Sequence, residues 1–241
     1  MDMQKIIIAN WKMNLSLYQA IEACRALLKN PFEEGEIVIS PCFIYLAYLS
    51  SQFPDLAFAA QNLSSISPDH GAFTGEVSAK MLRDISINYA IIGHSERRSN
   101  FNETNHNVKE KAVNAIRNNI TPIICIGEDE KVKSQGRVVE FLSKQILESI
   151  PRSDERIIVA YEPVWAIGSG AAIEKEDLEE IISEISIHIS KVAKNYQLVY
   201  GGSVNYENAD KLSEIKKLDG LLIGSASLNF NEFIKIVRAY A

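Results

Sequence analysis

Eight short apolar runs, separated by stretches with helical periodicity, constrain this chain more than any other feature. They cover residues 5–9, 37–40, 56–60, 89–93, 122–126, 157–161, 197–200 and 220–223. Most are continuous rather than alternating, and rich in Ile and Val. That is the pattern of strands buried on both faces, as in a parallel sheet. Between the runs, Leu17, Ala20, Ile21, Cys24, Leu27 and Leu28 share one helical face. So do Val108, Ala112, Ala115 and Ile116, and again Leu178, Ile181, Ile182, Ile185, Ile189 and Val192. Glu174, Glu176 and Asp177 open the last of these helices, where the dipole favours negative charge. The charges from Glu174 to Glu180 read as a solvated helix start. No linker or shift in composition interrupts the alternation, and no strand reads as an edge. The expectation is one α/β domain over residues 1–241, a (βα)8 barrel of eight parallel strands rather than an open doubly wound sheet.

Composition narrows the function. The chain carries a net charge of −6, so charge balance gives a nucleic-acid partner no support. No apolar run reaches the roughly 18 residues of a membrane span. The N-terminus lacks the long apolar core of a secretory signal. Three cysteines, Cys24, Cys42 and Cys125, show no Cys-x-x-Cys spacing, which predicts reduced thiols in a cytoplasmic protein. The sequons at Asn14, Asn62 and Asn102 are then chance matches. The histidines, His70, His94, His106 and His188, show no metal-ligand spacing, and no dinucleotide glycine fingerprint follows the first strand. Neither a metal nor a cofactor is expected.

In a (βα)8 barrel the chemistry gathers where strands end at their C-terminal side. The first run leads into Asn10-Trp11-Lys12, and a strand-end lysine would bring positive charge to the barrel mouth. Gln61 and Asn62, after the third run, read as amides that tie down loop backbone. The fourth run ends Gly93-His94-Ser95-Glu96-Arg97-Arg98. His94 there suits carbonyl polarisation or proton relay. Glu96 is either a second catalytic carboxylate or an ion-pair partner that orients Lys12, and the two arginines read as braces. Cys125 closes the fifth run and reads as a small core filler, since nothing marks its thiol as activated. Glu162 closes the sixth, ahead of a Pro-started, Gly-ended loop able to close over it. The seventh and eighth ends, Tyr200-Gly201-Gly202-Ser203 and Gly224-Ser225, are rich in Gly and Ser. Such loops let backbone N–H groups approach an anion, and a phosphate site there is common in this fold. The residues alone thus suggest proton abstraction beside a carbonyl on a small phosphorylated sugar.

Several motifs, in order along nearly the whole chain, resemble the triose-phosphate isomerase family. They are Ala9-Asn10-Trp11-Lys12-Met13-Asn14, Gly71-Ala72-Phe73-Thr74-Gly75-Glu76, Gly93-His94-Ser95-Glu96-Arg97-Arg98, Cys125-Ile126-Gly127-Glu128, the segment from Ala160 to Gly168, and Tyr200-Gly201-Gly202-Ser203-Val204. The resemblance implies the TIM barrel fold and the interconversion of dihydroxyacetone phosphate and D-glyceraldehyde 3-phosphate. It implies Glu162 as the base, a neutral His94 as the group at the carbonyl, and Lys12 with Asn10 on the substrate oxygens, an acid–base pairing already known for the family. Glu96, Ser95 and Cys125 would support them. Gly168 on a closing lid, with Ser203, Gly224 and Ser225, would hold the phosphate, while Ile167 and Leu222 close around Glu162. The loop bearing Thr74 would enter a second subunit, so a homodimer is implied.

This chain departs from the family pattern in three places. The lid usually ends Gly-Thr-Gly-Lys-Thr and here reads Gly168-Ser169-Gly170-Ala171-Ala172, which should alter lid kinetics without abolishing catalysis. The usual second glycine of the last cradle is Ser225. Serine resists φ > 0, and its Cβ is expected to crowd the phosphate. Residues 129–136 fit poorly and read as a surface loop and helix start with no chemistry. Two other readings compete: a different phosphosugar barrel such as an epimerase, and a catalytically dead barrel used as a scaffold. The first lacks the strand-end residues it would need. The second is opposed by the presence of Glu162, His94 and Lys12 together.

Overall fold

The computed structural model of the chain describes residues 4–167 and 173–240. Eight strands form a closed barrel in sequence order: β1 (Lys5–Asn10), β2 (Gly35–Ser40), β3 (Ala57–Ala60), β4 (Tyr89–Ile92), β5 (Thr121–Ile126), β6 (Ile157–Tyr161), β7 (Tyr196–Tyr200) and β8 (Gly220–Ile223). Every pairing is parallel, and β8 closes on β1. The (βα)8 expectation holds. Strand bounds differ from the apolar runs by a residue or two. The largest gain is at β2, where Gly35 and Glu36 pair with Lys5 and Ile6 although neither favours a strand.

Helices cover the outside. They begin where side chains cap them: Ser16 with Gln19 at α1 (Leu17–Leu28), and Thr104 with Asn107 at the helix Asn105–Arg117. Asn205 and Asn208 form the same capping box at Tyr206–Ser213. The apolar faces turn inward as their spacing requires, except Leu28, which is exposed at the end of α1. Among the described residues no helix is long and apolar enough to cross a membrane.

The barrel has two apolar layers, and strand parity separates them. Ile6 and Ile8, Tyr89 and Ile91, Ile123 and Cys125, Ile158 and Ala160, Val199, and Leu222 fill the interior. Their alternates, such as Ile7, Ala9, Val159 and Tyr161, pack outward under the helices. Side chains alternate with period two, so the next inward positions beyond these are Asn10, Gly93, Gly127, Glu162, Gly201 and Gly224. One rule therefore brings a buried amide, a buried carboxylate and a ring of glycines to the same end of the barrel.

The irregular stretch after β3 is a loop pinched at its base by Ser64 N–H on Val77 O (2.9 Å). Asn114 donates to the Ser64 and Ile66 carbonyls, and Arg117 donates to Ser67 Oγ (2.9 Å) and pairs with Asp69 (3.0 Å). Its outer part, including Phe73 and Thr74, is exposed.

Candidate active site

At the C-terminal mouth lies a cavity of about 490 Å³. Asn10, Lys12, His94, Glu162, Ile167, Ser203, Leu222, Gly224 and Ser225 all line it. Residues at the ends of β1, β4, β6, β7 and β8, scattered over the sequence, converge here because they share one barrel edge.

Lys12 has a left-handed backbone, φ +52°, a conformation unfavourable for a residue with a Cβ. Its neighbours over-determine it. Asn10 Oδ1 accepts the Lys12 N–H (3.0 Å), and Gln61 Nε2 donates to the Lys12 carbonyl (2.8 Å) and to Ser40 O (2.9 Å). Gln61 thus ties loop backbone, while Asn62 accepts from buried Lys111 (2.7 Å). The turn aims the Lys12 ammonium across the barrel to Glu96, 2.5 Å away. Of the two roles open to Glu96, the geometry shows the ion pair.

Gly93, φ +68°, turns the chain out of β4 into the helix Ser95–Phe101. A side chain there would strike Val108 at 2.7 Å. His94 caps this helix, and its Nδ1 accepts the Glu96 N–H (3.2 Å). Acceptance needs a lone pair on Nδ1, so the ring is neutral with its proton on Nε2. Nε2 lies 3.2 Å from Glu162 Oε1. The other carboxylate oxygen accepts the Ser95 N–H (3.1 Å), and Glu162 is only 2% exposed.

Arg98 ties the ends of β4 and β5 together, donating to Gly93 O (2.7 Å) and Cys125 O (3.1 Å), and Arg97 pairs with Glu103. Both arginines brace, as their position suggests. Cys125 lies in the interior beneath Glu162, and burial, then the Glu162 charge, pushes its thiol well above the ordinary range. It is a packing residue.

Beyond the base, buried Glu128 accepts from Trp165 Nε1 (2.8 Å) and Tyr161 Oη (3.2 Å). Burial raises its carboxyl, against the pull of these donors. Lys133 lies 3.2 Å from the Trp165 ring centroid. Nothing in the sequence alone attaches Lys133 to the loop after Glu162. Only the short helix Glu130–Ser134 brings it there.

Gly224 approaches Lys12 closely, since a Cβ on it would stand 3.3 Å from Lys12 Cε. Ser225 opens a short 3-10 turn, Ser225–Leu228, and is not among the residues with positive φ. The expected backbone strain at Ser225 is therefore absent, because the turn asks for no left-handed residue there. Residues 168–172, including Gly168 and the altered lid end, lie outside the described residues. Among the described residues no cluster of His, Cys, Asp and Glu is arranged to hold a metal ion.

The model for the triosephosphate isomerase family matches residues 5–240. The chain belongs to this family. Triosephosphate isomerases similar to it include that of Francisella philomiragia subsp. philomiragia, 39% identical over 98% of this chain and 97% of the relative. That of Francisella tularensis subsp. mediasiatica is also 39% identical over the same shares. That of Cytophaga hutchinsonii is 36% identical over 98% of this chain and 99% of the relative. Membership of the triosephosphate isomerase family makes the chain an isomerase of triose phosphates.

Proposed function

We propose that the residues at this mouth interconvert dihydroxyacetone phosphate and D-glyceraldehyde 3-phosphate, with the whole of residues 1–241 acting as one domain. The observation that carries the assignment of roles is the convergence of buried Glu162, neutral His94 and ion-paired Lys12 on one cavity opposite Gly- and Ser-rich loops. Glu162 removes a proton from C1 of the ketone, and the C2 carbonyl oxygen takes up the resulting negative charge. The Nε2–H of His94 and the Lys12 ammonium stabilise that enediolate, and Asn10 binds beside them. Return of the proton to C2, with a proton moved between the two oxygens, gives the aldehyde. The carbonyl itself acidifies the C–H bond, so the chemistry needs no cofactor.

Backbone N–H groups of Ser203, Gly224 and Ser225 take the phosphate, joined by Gly168. Ile167 and Leu222 form the apolar wall beside Glu162, which keeps water away from the reacting carbons. Ser95 N–H holds the Glu162 carboxylate, and Glu96 orients Lys12. A coupled isomerase assay tests the reaction: turnover of dihydroxyacetone phosphate is expected, and none would refute it.

The protein acts as a cytoplasmic homodimer. Support comes from large apolar side chains left exposed, Met13 (91%), Ile44 (76%), Phe101 (65%) and Met81 (53%), together with the projecting Thr74 loop. The four follow β1, β2, β3 and β4, neighbouring strands of the barrel, on the side that also carries the Thr74 loop, and apolar side chains gathered on one side mark an interface. Light scattering should give twice the chain mass, and a monomeric mass would refute the assignment.

A further inference from the structure

The phosphate end of the cavity is poor in positive charge. Lys12 is the one cationic side chain among the described residues lining it, and Glu96 already pairs with it. Two carboxylates, Glu162 and Glu232, line the same space. A phosphate monoester dianion must therefore be held largely by neutral N–H and O–H donors. The side-chain donors at this wall are amide Nδ2 groups and serine hydroxyls: Asn205 Oδ1 caps its helix and Asn10 Oδ1 accepts the Lys12 N–H, so each amide can donate only through Nδ2. Ser227 Oγ donates to Gly224 O at 2.6 Å. The Ser203 and Ser225 hydroxyls have no intramolecular hydrogen bond among the described residues, and Ser225 is the exposed one of the two at the cavity wall. The Ser225 backbone N–H belongs to the first residue of a 3-10 turn, where N–H groups lack partners within the turn.

We infer that Ser225 Oγ is a direct ligand of the substrate phosphate, adding a hydroxyl donor to the backbone N–H of the same residue. This rests on the assignment of the phosphate to these loops. One residue then offers two donors to neighbouring phosphate oxygens, which partly offsets the lack of a second cation. The hydroxyl favours a tetrahedral dianion with three terminal oxygens over a planar carboxylate. Ser225 is thus a specificity-determining residue of the site.

The test compares wild type with Ser225→Ala, Ser225→Gly and Ser225→Thr. Inorganic phosphate is titrated into each and followed by phosphorus NMR, which needs no turnover. Loss of a hydrogen bond to a charged group should weaken phosphate binding about tenfold in the Ala and Gly variants. The Thr variant, which keeps a hydroxyl, should stay within about threefold of wild type, and unchanged melting temperatures exclude a merely structural effect. KM for dihydroxyacetone phosphate should rise in step with the phosphate constant. Equal phosphate affinity in wild type, Ala and Gly variants would overturn the inference. So would tighter binding in the Gly variant, which would mean that the Ser225 Cβ crowds the anion. Absence of isomerase turnover in wild type would instead refute the proposed reaction and leave the phosphate titration to be judged separately.

Discussion

Gly201→Ala should cripple the enzyme without unfolding it. An alanine Cβ at that position would stand 2.9 Å from Glu162 Cγ, whereas ordinary van der Waals contact begins near 3.4 Å. Gly201 cannot easily yield, because its N–H is bonded to Tyr161 O (2.8 Å) and the added Cβ would already touch Leu222 Cβ and Cδ2 at 3.5 Å. Glu162 must move instead. Its own N–H is fixed to Ile126 O (2.7 Å), so the displacement falls on the side chain. A half-ångström push at Cγ grows toward the carboxylate oxygens that must meet the substrate carbon. Misplacement of about 1 Å costs roughly a hundredfold in rate. The expected result is kcat lower by about 100-fold with KM little changed. Overpacking should also cost about 1–3 kcal/mol of stability. The coupled assay at saturating substrate, beside a thermal melt, reads both. A folded variant with kcat within about threefold of wild type would refute the steric argument.

The remaining predictions concern groups around that centre. Burial pushes the Cys24 thiol up to about 12, and burial with the Glu162 charge holds Cys125 well above its ordinary value. A disulfide reagent at pH 8 should therefore label Cys42 alone in the native protein, and rapid labelling of all three thiols would contradict this. Burial alone would raise the Glu103 carboxyl, but its bonds to Lys111 and Arg97 outweigh this and leave it below the usual range. A depressed folded value contributes stability above the unfolded carboxylate range, which is lost as pH falls through the folded value. Acid melts should show that loss in wild type and less of it in Glu103→Gln, and identical acid profiles would exclude the pairing as its source. Lys133 on the Trp165 ring should couple to it by about 0.5–2 kcal/mol in a double-mutant cycle with Lys133→Met and Trp165→Phe. A coupling near zero would show that the stack contributes nothing.

Much of this was legible in the sequence because period-two alternation carries over from strands to strand ends. Ile158 and Ala160 lie on the inner face of β6 and Glu162, one residue past its end, continues the alternation, so a buried run followed by a carboxylate already places that carboxylate at the barrel mouth. The Ile6, Ile8, Asn10 series does the same. Other features depend on contacts between distant segments. The left-handed turn at Lys12 follows from bonds to Asn10 and Gln61, and only the folded chain brings Gln61 there. The stack of Lys133 on Trp165 joins a short helix after β5 to a 3-10 turn after β6. The expected strain at Ser225 was wrong because a motif comparison supplies residue types but not dihedral angles, and the 3-10 turn gives Ser225 an ordinary backbone.

The most direct test of the central claim is isomerase turnover by Glu162→Gln beside wild type. Glutamine keeps the size of the side chain and can still accept the Ser95 N–H that holds Glu162 (3.1 Å), so the fold should persist. It cannot take up the substrate proton. Loss of a positioned general base should lower kcat by about 10²–10⁴-fold, with phosphate binding retained. A folded Glu162→Gln variant that turns over dihydroxyacetone phosphate at the wild-type rate would contradict the account.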